Sequence, residues 1–144
     1  MGRIPLQVYF FAGSSRIMAH FLLKSSELSF SLPIKAIVDT GSPVTLIGNS
    51  DLKRMRLSSL QIRKLVGEHK EVNMGGGKVV TKVLENANLK FGNEFNVEMS
   101  VQFPIDSNNK NNQPSLLGVD FMLKTKSKLV FNPNKSEAYF EIDD

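Results

Sequence analysis

The residue with the clearest chemical potential in this sequence is Asp39, a carboxylate that follows directly on the apolar run Ala36-Ile37-Val38. Three apolar residues in a row, two of them β-branched, are typical of a buried strand. Two short hydroxyl side chains, Thr40 and Ser42, come next, with Gly41 between them. Because a carboxylate is costly to bury without a partner, this pattern indicates a group that its surroundings satisfy or that a reaction uses.

The motif Asp39-Thr40-Gly41-Ser42 resembles the active-site signature of aspartic proteases, which hydrolyse peptide bonds with two carboxylates that share one proton. Two such charges repel by about 4 kcal/mol at about 4 Å and an effective dielectric of about 20, which explains the sharing. No second motif occurs, because Asp51 is followed by Leu52, Asp106 by Ser107-Asn108 and Asp120 by Phe121. The resemblance therefore implies that another copy of the chain supplies the second aspartate, as in the homodimeric retropepsin type.

A glycine triplet follows the motif, as the retropepsin family order requires. The segment from Val72 to Val80 has strand-like residues on both sides of Gly75, Gly76 and Gly77. Together with Met74, the triplet resembles the flap, a hairpin that closes over substrate in this family. A glycine triplet alone is usually an ordinary loop, and the shared order of the segments favours the flap.

The third segment of the family pattern is apolar-apolar-Gly followed by a short helix. The stretch from Ser115 to Met122 resembles it, with Gly118 permitting close approach to the catalytic strand. On this interpretation Asp120 caps the helix from Phe121 to Lys124.

The resemblance also implies a role for each residue of the motif. Asp39 from each of two chains would hold one water and take its proton, and the Thr40 hydroxyls would bond across the dimer. Gly41 would bring backbone close to substrate, and Ser42 would support the ionised carboxylate from outside. Pairing of the terminal strands, including Ala138 to Ile142, would help the dimer. The implied partners are a second copy and a peptide or protein substrate, and the chemistry needs no metal and no cofactor.

Two positions depart from the retroviral pattern. Retroviral members commonly have an acidic residue after the motif and an arginine after the later glycine, and these charges pair near the dimer interface. This chain has Pro43 and Val119 instead, so neither charge is left unpaired. Because both changes lie beside the site, a catalytically silent retropepsin-like module for dimerisation or peptide binding is the alternative. The intact motif from Asp39 to Ser42 favours an enzyme.

The sequence predicts an all-β protein of the retropepsin-like acid protease fold, a small, closed, β-barrel-like domain with a flap hairpin and one short C-terminal helix. We expect a single domain over residues 1–144, and the resemblance covers about 30–142. The candidate strands outside the segments above are Leu6–Phe11, Met18–Leu23, Leu28–Leu32, Val83–Phe91, Phe95–Phe103, Lys128–Phe131 and Ala138–Ile142. Two weaker helix candidates are Asp51–Met55, capped by Asn49 or Ser50, and a segment from Ser58 or Ser59 to Val66.

One stretch, from Asp106 to Pro114, contains no apolar side chain except proline. Such a composition predicts a solvated, mobile surface loop. An insertion tolerated at the surface is the ordinary interpretation, and a loop that contacts substrate or is itself cleaved is the alternative.

Composition excludes several classes of protein. The chain has no cysteine, hence no disulfide, no thiolate nucleophile and no cysteine-ligated zinc, and its two histidines match no metal-ligand spacing. No apolar run is long enough to span a bilayer, and the N-terminus fits a signal peptide poorly, so we expect a cytoplasmic protein without a membrane partner. The net charge of +4 makes a basic nucleic-acid-binding domain a further alternative. We expect no nucleic-acid partner, because the basic patches at 53–64 and 124–128 are not interleaved with stacking aromatics.

Overall fold

The computed structural model describes residues 2–26, 31–54, 69–74, 77–105 and 113–143. Strands make up most of these residues, and the prediction of an all-β protein is confirmed. The strands are β1 (Gly2–Phe11), β2 (Ser14–Lys24), β3 (Leu32–Val38), β4 (His69–Met74), β5 (Gly77–Phe91), β6 (Phe95–Pro104), β7 (Ser115–Leu117), β8 (Ser127–Asn132) and β9 (Glu137–Ile142). The helices described are α1 (Asn49–Arg54), α2 (Val119–Thr125) and a 3-10 turn at Pro133–Lys135.

The strands form one open sheet, and the expectation of a closed, barrel-like sheet is wrong. The order along the hydrogen-bonded path is β4-β5-β2-β1-β9-β8, with β6 paired to β5 and β3 joining β2 to β7. Closure requires a hydrogen-bonded neighbour on both edges of every strand. Among the described strands, β4 and β8 end the path and do not pair with each other.

Both edges of β9 are used within the chain. Phe140 lies opposite Ile4 of β1 on one side and opposite Leu129 of β8 on the other. A strand paired on both edges has no row of free backbone groups to offer a second chain. The expectation that Ala138–Ile142 pairs across a dimer is therefore wrong, and β8 is the terminal strand at the end of the described path.

The strand β3 lies inside the sheet and leads directly into the motif that begins at Asp39. Leu32, Ile34 and Ala36 are buried and alternate with exposed Pro33 and Lys35, which is the two-residue period of a strand with one face on the core. Its neighbours are β2, which is antiparallel, and β7, which is parallel and comes from far along the chain. Hydrogen bonds on both edges thus fix the direction in which the chain leaves β3.

A row of four phenylalanine rings fastens α2 to the sheet. The ring centroids of Phe21 and Phe91 are 5.2 Å apart, those of Phe91 and Phe121 are 5.3 Å apart, and those of Phe121 and Phe140 are 5.0 Å apart. Tilted aromatic pairs at these separations add to the free energy gained by burying the rings. Because Phe121 is fully buried between Phe91 and Phe140, α2 is held in place against β5 and β9.

Most strands expected from the sequence are confirmed, although two expected segments form a single strand. The second half of the flap segment and Val83–Phe91 run together as β5, with an irregularity between Leu84 and Ala87 where Asn86 has a φ of 58°. The turn after β5 lies at Gly92 and Asn93, as expected.

The expected cap of the first helix is wrong. The helix α1 begins at Asn49, and the carbonyl of Gly48 accepts the N–H groups of Asp51 and Leu52. Neither Asn49 nor Ser50 therefore precedes the first turn. The expected segments Leu28–Phe30, Ser58–Val66 and 106–112 lie outside the described residues. Among the helices that are described, none has the length and apolar character needed to cross a membrane.

Substituting Phe121 by alanine should lower the free energy of unfolding by about 3–5 kcal/mol, since it leaves a cavity between two other rings. Urea denaturation followed by circular dichroism measures this loss. Leu123 lies on the same helix but is 74% exposed, so Leu123→Ala is the matched control and should cost less than about 0.5 kcal/mol. Equal losses in the two variants would show that the aromatic row does not anchor α2.

Candidate active site

Asp39 follows the last residue of β3 and is held there by the neighbouring parallel strand. Val38 pairs with Leu117 of β7, and the N–H of Asp39 donates to the carbonyl of Leu117 over 3.0 Å. The side chain of Asp39 is half-buried. The position of this carboxylate is thus set by backbone hydrogen bonds between segments almost eighty residues apart in sequence.

A tight turn directs the carboxylate after β3 ends. The N–H of Ser42 donates to the carbonyl of Asp39 over 3.1 Å, and the N–H of Gly41 donates to Asp39 Oδ1 over 3.0 Å. A β-carbon at Gly41 would lie 3.2 Å from the same oxygen, a tight contact that glycine avoids. Thr40 and Gly41 are exposed, so this side of the turn faces outward.

The loop that follows the turn runs between β6 and β7. Leu46 exchanges two backbone hydrogen bonds with Leu116, of 2.9 and 2.8 Å. Gln102 of β6 donates its N–H to the carbonyl of Thr45 over 3.0 Å and accepts the N–H of Ile47 over 2.8 Å. We call residues 39–47 the catalytic loop, after the catalytic role that we propose for Asp39. The second half of this loop is fixed to a strand on each side.

Gly118 lies where α2 meets the catalytic loop. A β-carbon at this position would be 2.4 Å from the carbonyl oxygen of Val44 and 2.8 Å from that of Ser42, closer than atoms can approach. Its backbone is extended, with a φ of −88°, so space and not conformation demands glycine here. The close approach lets the N–H of Val119 donate to the carbonyl of Ser42 over 2.9 Å. In retroviral members the positions of Pro43 and Val119 carry opposite charges that pair. In this chain a backbone hydrogen bond joins the two segments instead.

The hydroxyl of Ser42 does not support Asp39. Ser42 is buried, and its Oγ donates to the carbonyl of Val44 over 2.7 Å. A hydroxyl has one proton to donate, so the expected hydrogen bond from Ser42 to the carboxylate is wrong in this structure. The donor that Asp39 receives is the N–H of Gly41.

Asp120 is not the helix cap that the sequence suggests. The helix α2 begins one residue earlier, at Val119, and its N-cap position is Gly118, which has no side chain to cap with. The carboxylate of Asp120 instead accepts the N–H of Thr45 over 2.9 Å and the hydroxyl of Thr45 over 2.7 Å. It also accepts the N–H of Phe121 over 2.8 Å.

Thr45 is the site residue that reasoning from the sequence missed. It is fully buried, and its hydroxyl accepts the N–H of Gly118 over 3.1 Å while donating to Asp120. The feature of the sequence that could have indicated it is a polar residue between two apolar neighbours, three positions after Ser42. Because its partners lie more than seventy residues away, local pattern did not reveal the contact.

Burial perturbs the Asp120 carboxyl. The pKa of Asp120 is raised, because burial penalises the charged form more than the hydrogen bonds from Thr45 and Phe121 favour it. The ionised form of Asp120 thus makes the folded protein less stable than the neutral form would.

The expected flap segment is an antiparallel hairpin in the described residues. Val72 lies opposite Val79, Asn73 opposite Lys78, and Met74 opposite Gly77. Gly75 and Gly76, which connect the strands β4 and β5, lie outside the described residues. No group of three or more metal-ligating side chains comes together within the described ranges.

Comparison with known proteins agrees with this geometry. A family model described as aspartyl protease matches residues 29–121. Among solved structures, a retropepsin-like aspartic protease from Rickettsia conorii matches with a TM-score of 0.58 and 17% sequence identity, over 96% of this chain and 89% of that one. At this identity the likeness shows a shared fold, and the predicted retropepsin-like fold is confirmed. No curated protein matches the sequence significantly.

Gly118→Ala should lower the free energy of unfolding by about 1–3 kcal/mol, because the new methyl group forces the catalytic loop and α2 apart. Chemical denaturation measures the change. Lys124→Ala, an exposed position on the same helix, is the control and should be nearly neutral. If both variants are as stable as the wild type, the close packing of Gly118 against the loop is not a constraint.

The stability of the protein should depend on pH through Asp120, and Asp120→Asn isolates this dependence. Since the folded-state pKa is raised, the contribution of Asp120 is fully present below the unfolded-state value and is lost as pH rises through the folded-state value. The free energy of unfolding of the wild type, relative to Asp120→Asn, should therefore fall as the pH rises from below the unfolded-state pKa through the raised folded-state pKa. Urea titrations at several pH values measure it. A difference that grows with pH would mean that the hydrogen bonds outweigh burial.

Proposed function

The chain belongs to the aspartyl protease family, and from that premise we propose that it is an aspartic endopeptidase whose site is completed by a second copy of itself. Each subunit, acting as one domain over residues 1–144, contributes one Asp39. The observation that carries the proposal is the single Asp-Thr-Gly motif, whose carboxylate is held at the end of β3 by the N–H of Gly41. The reaction needs two carboxylates, and each chain offers one motif.

The proposed mechanism uses the two carboxylates in different protonation states. A water bound between them gives its proton to the ionised carboxylate, which acts as general base, and attacks the scissile carbonyl carbon. The protonated carboxylate donates to the carbonyl oxygen, and a proton then passes to the leaving amine as the carbon–nitrogen bond breaks. The N–H of Gly41 steadies the carboxylate during this exchange, since charged acceptors form strong hydrogen bonds.

The exposed part of the turn is the face that suits a partner subunit. Thr40, Gly41 and Pro43 are exposed beside the half-buried Asp39. In the proposed dimer these residues meet their symmetry mates, and the two Thr40 hydroxyls bond across the axis. In this proposal β8, which ends the described sheet path on one side, would extend the contact.

The hairpin of β4 and β5 serves as the flap in this proposal. Its tip, from Met74 to Gly77, would close over an extended peptide and exclude water from the two carboxylates. An extended substrate would then bind as an added strand, so that backbone hydrogen bonds supply much of the affinity.

Asp39→Asn should reduce peptide hydrolysis by at least about 10²–10⁴-fold while leaving the fold intact, because an amide neither takes a proton from the water nor shares one with its partner. Cleavage of a mixed peptide library from acidic to neutral pH measures activity, and thermal unfolding checks the fold. The exposed carboxylate Asp143 gives a matched control, and Asp143→Asn should be as active as the wild type. Equal cleavage by wild type and Asp39→Asn would leave the silent, peptide-binding module as the better description.

A further inference from the structure

We propose that Asp120 is the positioning residue of the catalytic loop: its carboxylate clamps Thr45 and thereby fixes the loop that carries Asp39 against α2. The proposal rests on the proposed function of Asp39, since it concerns how that carboxylate is presented to a second subunit. Asp120 touches neither substrate nor the reacting atoms in this account. It acts through the loop.

Thr45 provides one donor for each carboxylate oxygen of Asp120. Thr45 N–H donates to Oδ2 of Asp120, and Thr45 Oγ1 donates to Oδ1. The same hydroxyl accepts the N–H of Gly118, which adds another hydrogen bond between Thr45 and the segment that begins α2. Because Thr45 is fully buried, water does not compete for these bonds.

The clamp holds the part of the loop that lies between two other fixed points. Asp39 is tied to Leu117 at one end, and Leu46 is tied to Leu116 at the other. Between them, the loop is joined to α2 through Val119 N–H at Ser42 and through Asp120 at Thr45. The helix α2, which bears Asp120, is itself held by the row of phenylalanine rings. The loop is therefore attached to a rigid part of the molecule.

An asparagine would not reproduce the clamp. The two donors of Thr45 face two acceptor oxygens, and an amide offers one oxygen and one N–H₂ group, which would oppose a donor. The carboxylate also has a cost, because burial raises its pKa and makes the ionised form unfavourable for stability. Functional sites typically contain groups that lower the stability of the fold, because the geometry that the site needs is kept at a cost in folding free energy.

The test compares Asp120→Asn, Thr45→Val and the double variant with the wild type. Each single variant should lower kcat about ten- to a hundredfold with little change in KM, because a displaced carboxylate slows the chemical step. The double variant should be no slower than the worse single variant, since both remove one contact. Thr45→Ser keeps the hydroxyl and should restore kcat.

Asp51→Asn is the matched control, because Asp51 is a buried carboxylate that accepts a hydroxyl, that of Ser115, and its hydrogen bonds do not involve Thr45. It should lower stability and leave kcat near the wild-type value. If Asp51→Asn lowers kcat as much as Asp120→Asn does, or if the Asp120 and Thr45 effects multiply independently, the clamp is not a positioning device.

Amide hydrogen exchange tests the proposal by a measurement that does not depend on peptide hydrolysis. Asp120→Asn should raise amide exchange across residues 42–47 by about tenfold or more, with β1 and β9 unchanged, since the loop loses its contact with α2. Unchanged exchange in this segment would overturn the proposal. If wild type and Asp39→Asn cleave peptides equally, the proposed function fails, and the exchange result alone then decides whether the clamp exists.

Discussion

The parallel pairing of β3 with β7 is the interaction on which the candidate site depends. It places Asp39 beside Leu117, and it brings Gly118 and the start of α2 against the loop that leaves the motif. A parallel pair needs a long connection between its strands, and here that connection contains the hairpin of β4 and β5, and β6. The same pairing therefore positions Asp39 at the end of β3. It also places Gly118 where the start of α2 packs directly on the loop that follows Asp39.

The sequence predicted what is decided locally. The motif around Asp39, the strand that leads into it and the glycine-rich hairpin ending at Met74 and Gly77 were all readable from neighbouring residue types. The errors concern partners that lie far along the chain. Asp120 resembled a cap, but its partner is Thr45, and β9 resembled a free terminal strand, but it inserts between β1 and β8. Sequence pattern indicates that a group needs a partner and does not indicate which distant residue supplies it.

Ser42 shows how a plausible local inference fails for a physical reason. Ser42 lies three residues after Asp39, but its side chain is buried in the turn. Its hydroxyl donates its single hydrogen bond to the carbonyl of Val44. The carboxylate is directed by the N–H of Gly41 instead. Backbone groups, which every residue type carries, thus orient the reactive side chain. Thr40 remains exposed beside Asp39, on the face where the proposed dimer places a second subunit.

The central claim, that two Asp39 carboxylates from two chains form one site, is tested most directly by mixing wild type with Asp39→Asn and allowing the subunits to exchange. If a dimer needs both carboxylates, hydrolysis should follow the square of the wild-type fraction, so that an equal mixture retains about one quarter of the wild-type rate. Sedimentation of the same mixture confirms that dimers form. A rate that falls in simple proportion to the wild-type fraction would contradict the shared site, because it would mean that each chain works with its own Asp39 alone.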